Sequence, residues 1–362
     1  MKIIIRIAAL WLVVAMGFAA QPLTPSLVKL ALSVKLYGAL TGNPRQILIT
    51  NTSPNLVTHL KVTSADLPKG TTISSTTCDN DLAANASCII VVSPGSLPSV
   101  DDKGKWCTQG RQPQASTIRV TADDIDPLVV EVVVLNYGCI YQSGYVYAID
   151  DSYAHYPISG SVGGKVTALK NQSENSPFGN PWSTDKYGDY DNGVSIWGIG
   201  ETSTSQKPVP NADSIIPAEK VEGQSDCEGK LDGVCNTNNI VAYYSAPRSP
   251  KKVPTQYYAA GLCNQYHEGG YQDWYLPAIC ELGPSQQCIK KVQNMAQNLA
   301  ILRSSNCTGS HCLEGVYWSS TQMSYVAKTY AWFQVFAARG ESYAQSTVKA
   351  TPMNVRCSRA IT

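Results

Sequence analysis

Leu128-Val-Val-Glu-Val-Val-Val-Leu135 is followed at once by Asn136-Tyr-Gly-Cys139, and the chain changes character at that point. Eight mostly β-branched residues with a single charge read as a strand, more apolar than the alternating ones before it. Working back from it, Thr117-Ile-Arg-Val-Thr-Ala122, Leu56-Val-Thr-His-Leu-Lys-Val62 and Gln46-Ile-Leu-Ile-Thr-Asn51 alternate apolar and polar positions. Turn clusters separate them at 41–44, 67–70 and 93–95. Short alternating strands between regular turns predict an all-β sandwich over residues 25–137.

Working forward, aromatic residues take over. Of the 20 Tyr, only Tyr37 and Tyr137 precede Cys139, and five of the seven Trp follow it. A boundary is therefore expected near 137–145. The second segment, 140–362, mixes elements. Gly144-Tyr-Val-Tyr-Ala-Ile-Asp-Asp151 reads as a strand, Ser159–Leu169 as a hairpin, and Val194-Ser-Ile-Trp-Gly-Ile199 as a strand inside a long polar stretch. Thr255–Tyr266 reads as a short helix. A longer one is expected over about 285–303, where Ile289, Val292, Met295, Ala296 and Leu299 recur at helical spacing.

The chain has 362 residues, 43% of them hydrophobic and 15% charged, with a formal net charge of +1. That balance argues against a nucleic-acid partner. Lys2 and Arg6, an apolar run and small residues at Gly17, Ala19 and Ala20 read as a signal peptide over 1–20. No later stretch is apolar enough to span a membrane, so the expectation is an exported protein, periplasmic, surface-bound or secreted. About 340 residues would remain, enough for roughly two domains.

Twelve cysteines in an exported chain imply a disulfide framework. Neighbours suggest Cys78–Cys88, Cys227–Cys235, Cys280–Cys288 and Cys307–Cys312, with Cys107–Cys139 and Cys263–Cys357 completing six pairs, although spacing alone leaves the connectivity open. No Cys-x-x-Cys occurs, and His59, His155, His267 and His311 never fall at ligand spacing, so neither a metal nor another cofactor is expected. Asp185, Asp189, Asp191 and Gly193 gather calcium-type ligands without the acidic twelfth position of an EF-hand, and read as a polar loop.

Three ordered fragments are more specific. They are Gly269-Gly-Tyr-Gln-Asp273-Trp-Tyr-Leu276-Pro277-Ala-Ile-Cys-Glu281-Leu, Val316-Tyr-Trp318-Ser319-Ser320-Thr321, and Asn354-Val-Arg356-Cys-Ser-Arg359-Ala. Together with Gly138–Tyr147 and Ser195–Ser203 they resemble the Lcl C-terminal domain family of bacterial collagen-like adhesins over nearly all of 138–362. The stretch Leu82–Pro94 around Cys88 resembles bacterial immunoglobulin-like modules. The collagen repeat of the adhesins is missing. The resemblance implies an α+β fold like that of C-type lectins and sulfatase-modifying factors, with the chain ends brought together, as Cys263–Cys357 would do.

The expected architecture is mixed, an immunoglobulin-like sandwich followed by a C-type-lectin-like domain. The resemblance implies a non-enzymatic binding protein for an extracellular glycan or protein, with oligomers allowed. A purely structural envelope role is the first alternative. An enzyme related to sulfatase-modifying factors is the second; it needs free thiols, and no Gly-x-Ser-x-Gly, His-Glu-x-x-His or phosphate loop occurs. Candidate ligand contacts are Trp274, Trp318, Trp332, Lys290 and Lys291, although residues 140–362 hold 17 basic and 18 acidic residues and so no basic excess. Pro277 is expected to end an extended segment and start a helix with Glu281 in its first turn. Arg356 and Arg359 are expected to pair with Asp273 and Glu281, and hydroxyls of Ser319, Ser320 or Thr321 to take an indole N–H.

Overall fold

The alternating segments of the first half become strands in a computed structural model, which describes residues 21–150, 162–173, 179–184, 195–202, 220–246, 252–288, 292–303, 307, 309, 312–337 and 342–362. Strands β1 (Leu23–Pro25), β3 (Arg45–Asn51), β6 (Ser87–Ser93) and β5 (Thr72–Thr76) form one sheet, in that order. Strands β2 (Lys29–Ser33), β8 (Leu128–Leu135), β7 (Ser116–Thr121) and β4 (Lys61–Ala65) form a second. The β2–β8 pair is parallel and the others are antiparallel. Ile47, Ile49, Ile90 and Val92 from one sheet and Leu30, Leu32, Ile118, Val120, Val130 and Val132 from the other share a core. The period-2 alternation of each strand puts those side chains on one face. The strand expected over 56–62 starts only at Lys61, because His59 takes a left-handed φ of 54° and interrupts it.

Strand pairing then restarts. Strands β9 (Ile140–Tyr141), β10 (Gly144–Ala148), β11 (Lys165–Ala168) and β15 (Ser358–Ala360) make a third sheet, ordered β15-β11-β10-β9. Strands β12 (Gly315–Gln322), β13 (Tyr330–Phe336) and β14 (Ser342–Val348) make a fourth, with β14 at its edge. Helices are short: α1 (Gly233–Ser245), α2 (Ala259–Asn264), α3 (Ile279–Leu282) and α4 (Met295–Asn298). The chain is thus β-rich with few helical residues. Among the described residues, the first two sheets use positions 23–135 and the other two 140–360. The Cys107–Cys139 disulfide and the Gly110 N–H to Gly138 carbonyl bond of 2.8 Å tie the two stretches together.

All twelve cysteines sit in six disulfides, joined as their spacing suggested. No helix among the described residues is long and apolar enough to cross a membrane. Two expected elements are corrected. In the described part of 285–303 the helical residues are α4 and a single 3₁₀ turn at Ala300–Arg303, because Pro284 and the Cys280–Cys288 bridge hold the chain through Cys288 in a tight loop; residues 289–291 lie outside the described residues. Residues Ser195–Ile199 form a turn rather than a strand, carried on side chains of distant elements: the Ile196 N–H donates to Gln322 Oε1 and Asn239 Nδ2 to the Trp197 carbonyl. The signal-peptide segment, Asp185, Asp189, Asp191, Gly193, Lys290, Lys291 and His311 lie outside the described residues.

Candidate functional site: a cleft beside an edge strand

The three ordered fragments converge. Tyr275 and Ser358 exchange backbone hydrogen bonds of 2.8 Å in both directions, pairing the first fragment with the third. Tyr317 bridges Asn354, pairing the second with the third. Arg359, almost fully buried, donates from Nε to Asp273 Oδ1 (2.7 Å) and from Nη2 to Asp273 Oδ2 (3.0 Å). Its Nη1 reaches Gln142 Oε1 at 2.8 Å, and its guanidinium lies 3.8 Å from the Tyr271 ring centre.

Glu281 is different from expectation. Its cation is Lys165 on β11, not an arginine. The β11–β15 pairing sets Lys165 opposite Ala360 and so brings it to the helix. Glu281 Oε2 accepts the Ala278 N–H (2.7 Å), and Oε1 accepts the Tyr275 hydroxyl (2.9 Å) as well as Lys165. Pro277 does precede a helix start, α3, with Glu281 in its first turn. Burial opposes the Lys165 charge, but the Glu281 carboxylate holds its ammonium above the ordinary lysine range. Burial, reinforced by Glu281, pushes the Tyr275 hydroxyl far above its usual value. Gly233 opens α1 against this cluster; a Cβ there would stand 2.4 Å from Glu281 Oε2.

Arg356 does not pair with Asp273 or Glu281. Fully buried, it donates to Asn171 Oδ1 (2.9 Å) and to the carbonyls of Ala168 and Cys312 (2.8 Å each), and burial lowers its pKa. Ser319, Ser320 and Thr321 are also buried, and their hydroxyls serve the scaffold. Ser319 donates to the Trp332 carbonyl, Ser320 accepts from Asn236, and Thr321 accepts the Ile279 N–H while donating to the Gly229 carbonyl. None takes an indole N–H. Trp182 donates instead to the Ser319 backbone carbonyl, and Trp318 to the carbonyls of Asn180 and Thr351.

This packing removes two of the three tryptophans from the candidate ligand contacts. Trp318 is fully buried beside Phe333, and Trp274 is buried against Tyr266. Neither offers a face to a ligand. Trp332 does. It lines a cleft of about 550 Å³ together with Pro284, Ser285, Gln286, Gln287 and the β14 residues Ser342, Tyr343 and Ala344.

Both walls of the cleft are fixed. One is the loop closed by Cys280–Cys288, in which the Cys288 N–H bonds the Ser285 carbonyl and the Gln287 N–H the Ser285 hydroxyl. The other is the β13–β14 ladder, in register from Tyr330–Val348 to Phe336–Ser342. Gly283 lets the loop pass close to β13, since a Cβ there would stand 2.6 Å from the Gln334 side chain. The Trp332 indole N–H is buried without a partner, and so is Gln334 Oε1. Gln334 Nε2 donates 2.6 Å to Ser342 Oγ, on the cleft wall. No charged side chain lines the cleft among the described residues. Nor do the described residues bring together His, Cys, Asp and Glu in a group fit to hold a metal.

No protein-family model and no curated protein matches this chain. Among solved structures it is similar to the Vibrio cholerae VesB protease, at 15% identity over 31% of this chain and 31% of that one, with a TM-score of 0.22. It is also similar to WR4, a C. elegans MSP family member, at 10% identity over 32% of this chain and 99% of that one, with a TM-score of 0.22. The periplasmic chaperone SfaE gives 7% identity over 33% of this chain and 59% of that one, with a TM-score of 0.21. The chain spans about a third of the VesB length. Likenesses this slight carry no weight for fold or function.

Proposed function

We propose that the protein is an exported binding protein that recognises an uncharged saccharide in the Trp332 cleft. On this reading 1–20 is a signal peptide, 25–137 an immunoglobulin-like sandwich, and 140–362 a C-type-lectin-like α+β domain of the Lcl C-terminal kind. Six disulfides support export into an oxidising compartment. They also favour binding over thiol chemistry, since no cysteine is left free.

One observation carries the reading: among the described residues the cleft is lined without a charged side chain and includes the Trp332 ring. A sugar matches that chemistry. Its C–H face packs on an indole, and its hydroxyls donate and accept hydrogen bonds without bringing charge. Ser285, Gln286, Gln287 and Ser342 supply polar side chains around the cleft. The direct screen is a glycan array with the oxidised, signal-free protein. Saturable binding to neutral glycans, lost in Trp332→Ala, is the expected result; a blank array refutes the reading.

A further inference from the structure

A second aromatic site lies in the first half of the chain, and its chemistry is different. Asp101 is buried and organises the turn that follows it. Its carboxylate accepts the N–H groups of Lys103 (3.0 Å) and Lys105 (2.8 Å) and the Arg111 Nη1 (2.7 Å). Its own N–H donates to the Lys105 carbonyl at 2.7 Å, and Val100 bridges Trp106. The next residue is fixed by the Cys107–Cys139 disulfide. The backbone is therefore held from beneath, yet Trp106 remains 53% exposed. Lys105 and Arg111 flank it, and with Gly104 and Thr108 they line a cavity of about 560 Å³.

The side chains here are more than a solvated turn requires. An indole held in water on a rigid backbone is a ready stacking face. The Lys105 ammonium has no acidic partner among the described residues, and Arg111 spends only Nη1 on Asp101. We propose that this cavity binds an anionic saccharide unit, a uronic acid or a sulfated sugar. Trp106 would take the C–H face of the ring, and Lys105 and Arg111 its carboxylate or sulfate. Guanidinium and ammonium suit such oxyanions. A phosphopeptide would use the cations but leave the indole face idle, so the sugar is favoured. The inference does not depend on the Trp332 cleft.

The test uses the whole oxidised protein and two probes, a glucuronic-acid oligosaccharide and its neutral glucose counterpart of equal length, read by calorimetry. Binding of the acidic probe is expected to be at least about tenfold tighter than the neutral one at this site and to weaken with salt. Trp106→Ala is expected to reduce it about tenfold or more and Lys105→Gln about threefold to tenfold. Both side chains are exposed, so the variants should fold, which circular dichroism confirms. The comparison is made in the Trp332→Ala background, so that saccharide bound in the other cleft does not enter the reading. The proposal is overturned by no binding up to about 10 mM, by equal affinity for both probes, by indifference to Trp106→Ala, or by tighter binding of a phosphoserine peptide through the same residues.

Discussion

Trp332 and Gln334 stand two residues apart on one face of strand β13, and each keeps a buried polar atom without a partner, the indole Nε1 and the amide Oε1. Such groups cost about 1–3 kcal/mol each when left unpaired. Both atoms are closed off from solvent, so the fold carries that cost with the cleft empty. Gln334→Leu keeps the volume and removes the orphan oxygen. It also removes the Nε2 bond to Ser342, so relief of the orphan and loss of the bond are expected to offset to within about 1 kcal/mol of folding stability. A large loss of stability in a chemical denaturation series would show that Gln334 serves the fold alone.

Asp273 neutralises an arginine that is itself almost wholly buried. Asp273→Ala strands that guanidinium, whose other contacts include Gln142 and the Tyr271 and Trp274 rings. Complete burial of both partners would make the loss 3–5 kcal/mol; with Asp273 half exposed, about 2 kcal/mol is expected. Urea denaturation measures it. An unchanged midpoint would mean that the pair is worth no more than an ordinary surface ion pair.

The disulfides should rank by the loop each closes. Cys263–Cys357 spans 94 residues and Cys307–Cys312 spans 5. Chain entropy alone assigns them about 4.7 and about 2 kcal/mol. Paired Cys→Ser variants compared by thermal unfolding should show the first as much the more damaging. Equal losses would locate the stabilisation in the native contacts instead.

His59 should titrate above its ordinary 6.5, because its ring nitrogen shares a hydrogen bond with the Asp123 carboxylate and feels its charge. The stabilisation from this pair is complete below the unfolded histidine pKa and is lost as pH rises through the higher folded value. An NMR titration should show the raised value, and Asp123→Asn should bring it down. Identical titrations in the two proteins would remove the pairing.

Much of the strand framework could be read from the alternation of residues such as Ile47, Ile49, Ile90 and Val92, because period-2 burial is a local property. Four of the six cysteine pairs followed from nearness along the chain, and Cys107–Cys139 and Cys263–Cys357 only completed the set. The site was harder. Trp274, Trp318 and Trp332 look alike as residue types. What separates them is strand parity and register: Trp318 sits opposite Phe333 on the core side, while Trp332 is one residue out of phase with Phe333. Glu281 met Lys165 through a sheet pairing about which the local sequence is silent. The helical stripe from Ile289 to Leu299 misled because a disulfide loop and Pro284 take precedence over periodicity.

The central claim is that Trp332 contacts a sugar, and one measurement reaches it directly. The indole N–H signals of the ¹⁵N-labelled protein would be followed while a neutral oligosaccharide selected on the glycan array is added. Trp332→Phe assigns the Trp332 signal; it keeps an aromatic face and deletes the N–H. The account predicts a saturable shift of the Trp332 signal, unmoved Trp318 and Trp182 signals, and binding weakened about tenfold in Trp332→Ala. Full-strength binding in Trp332→Ala, or saturation with the Trp332 signal unmoved, would contradict it.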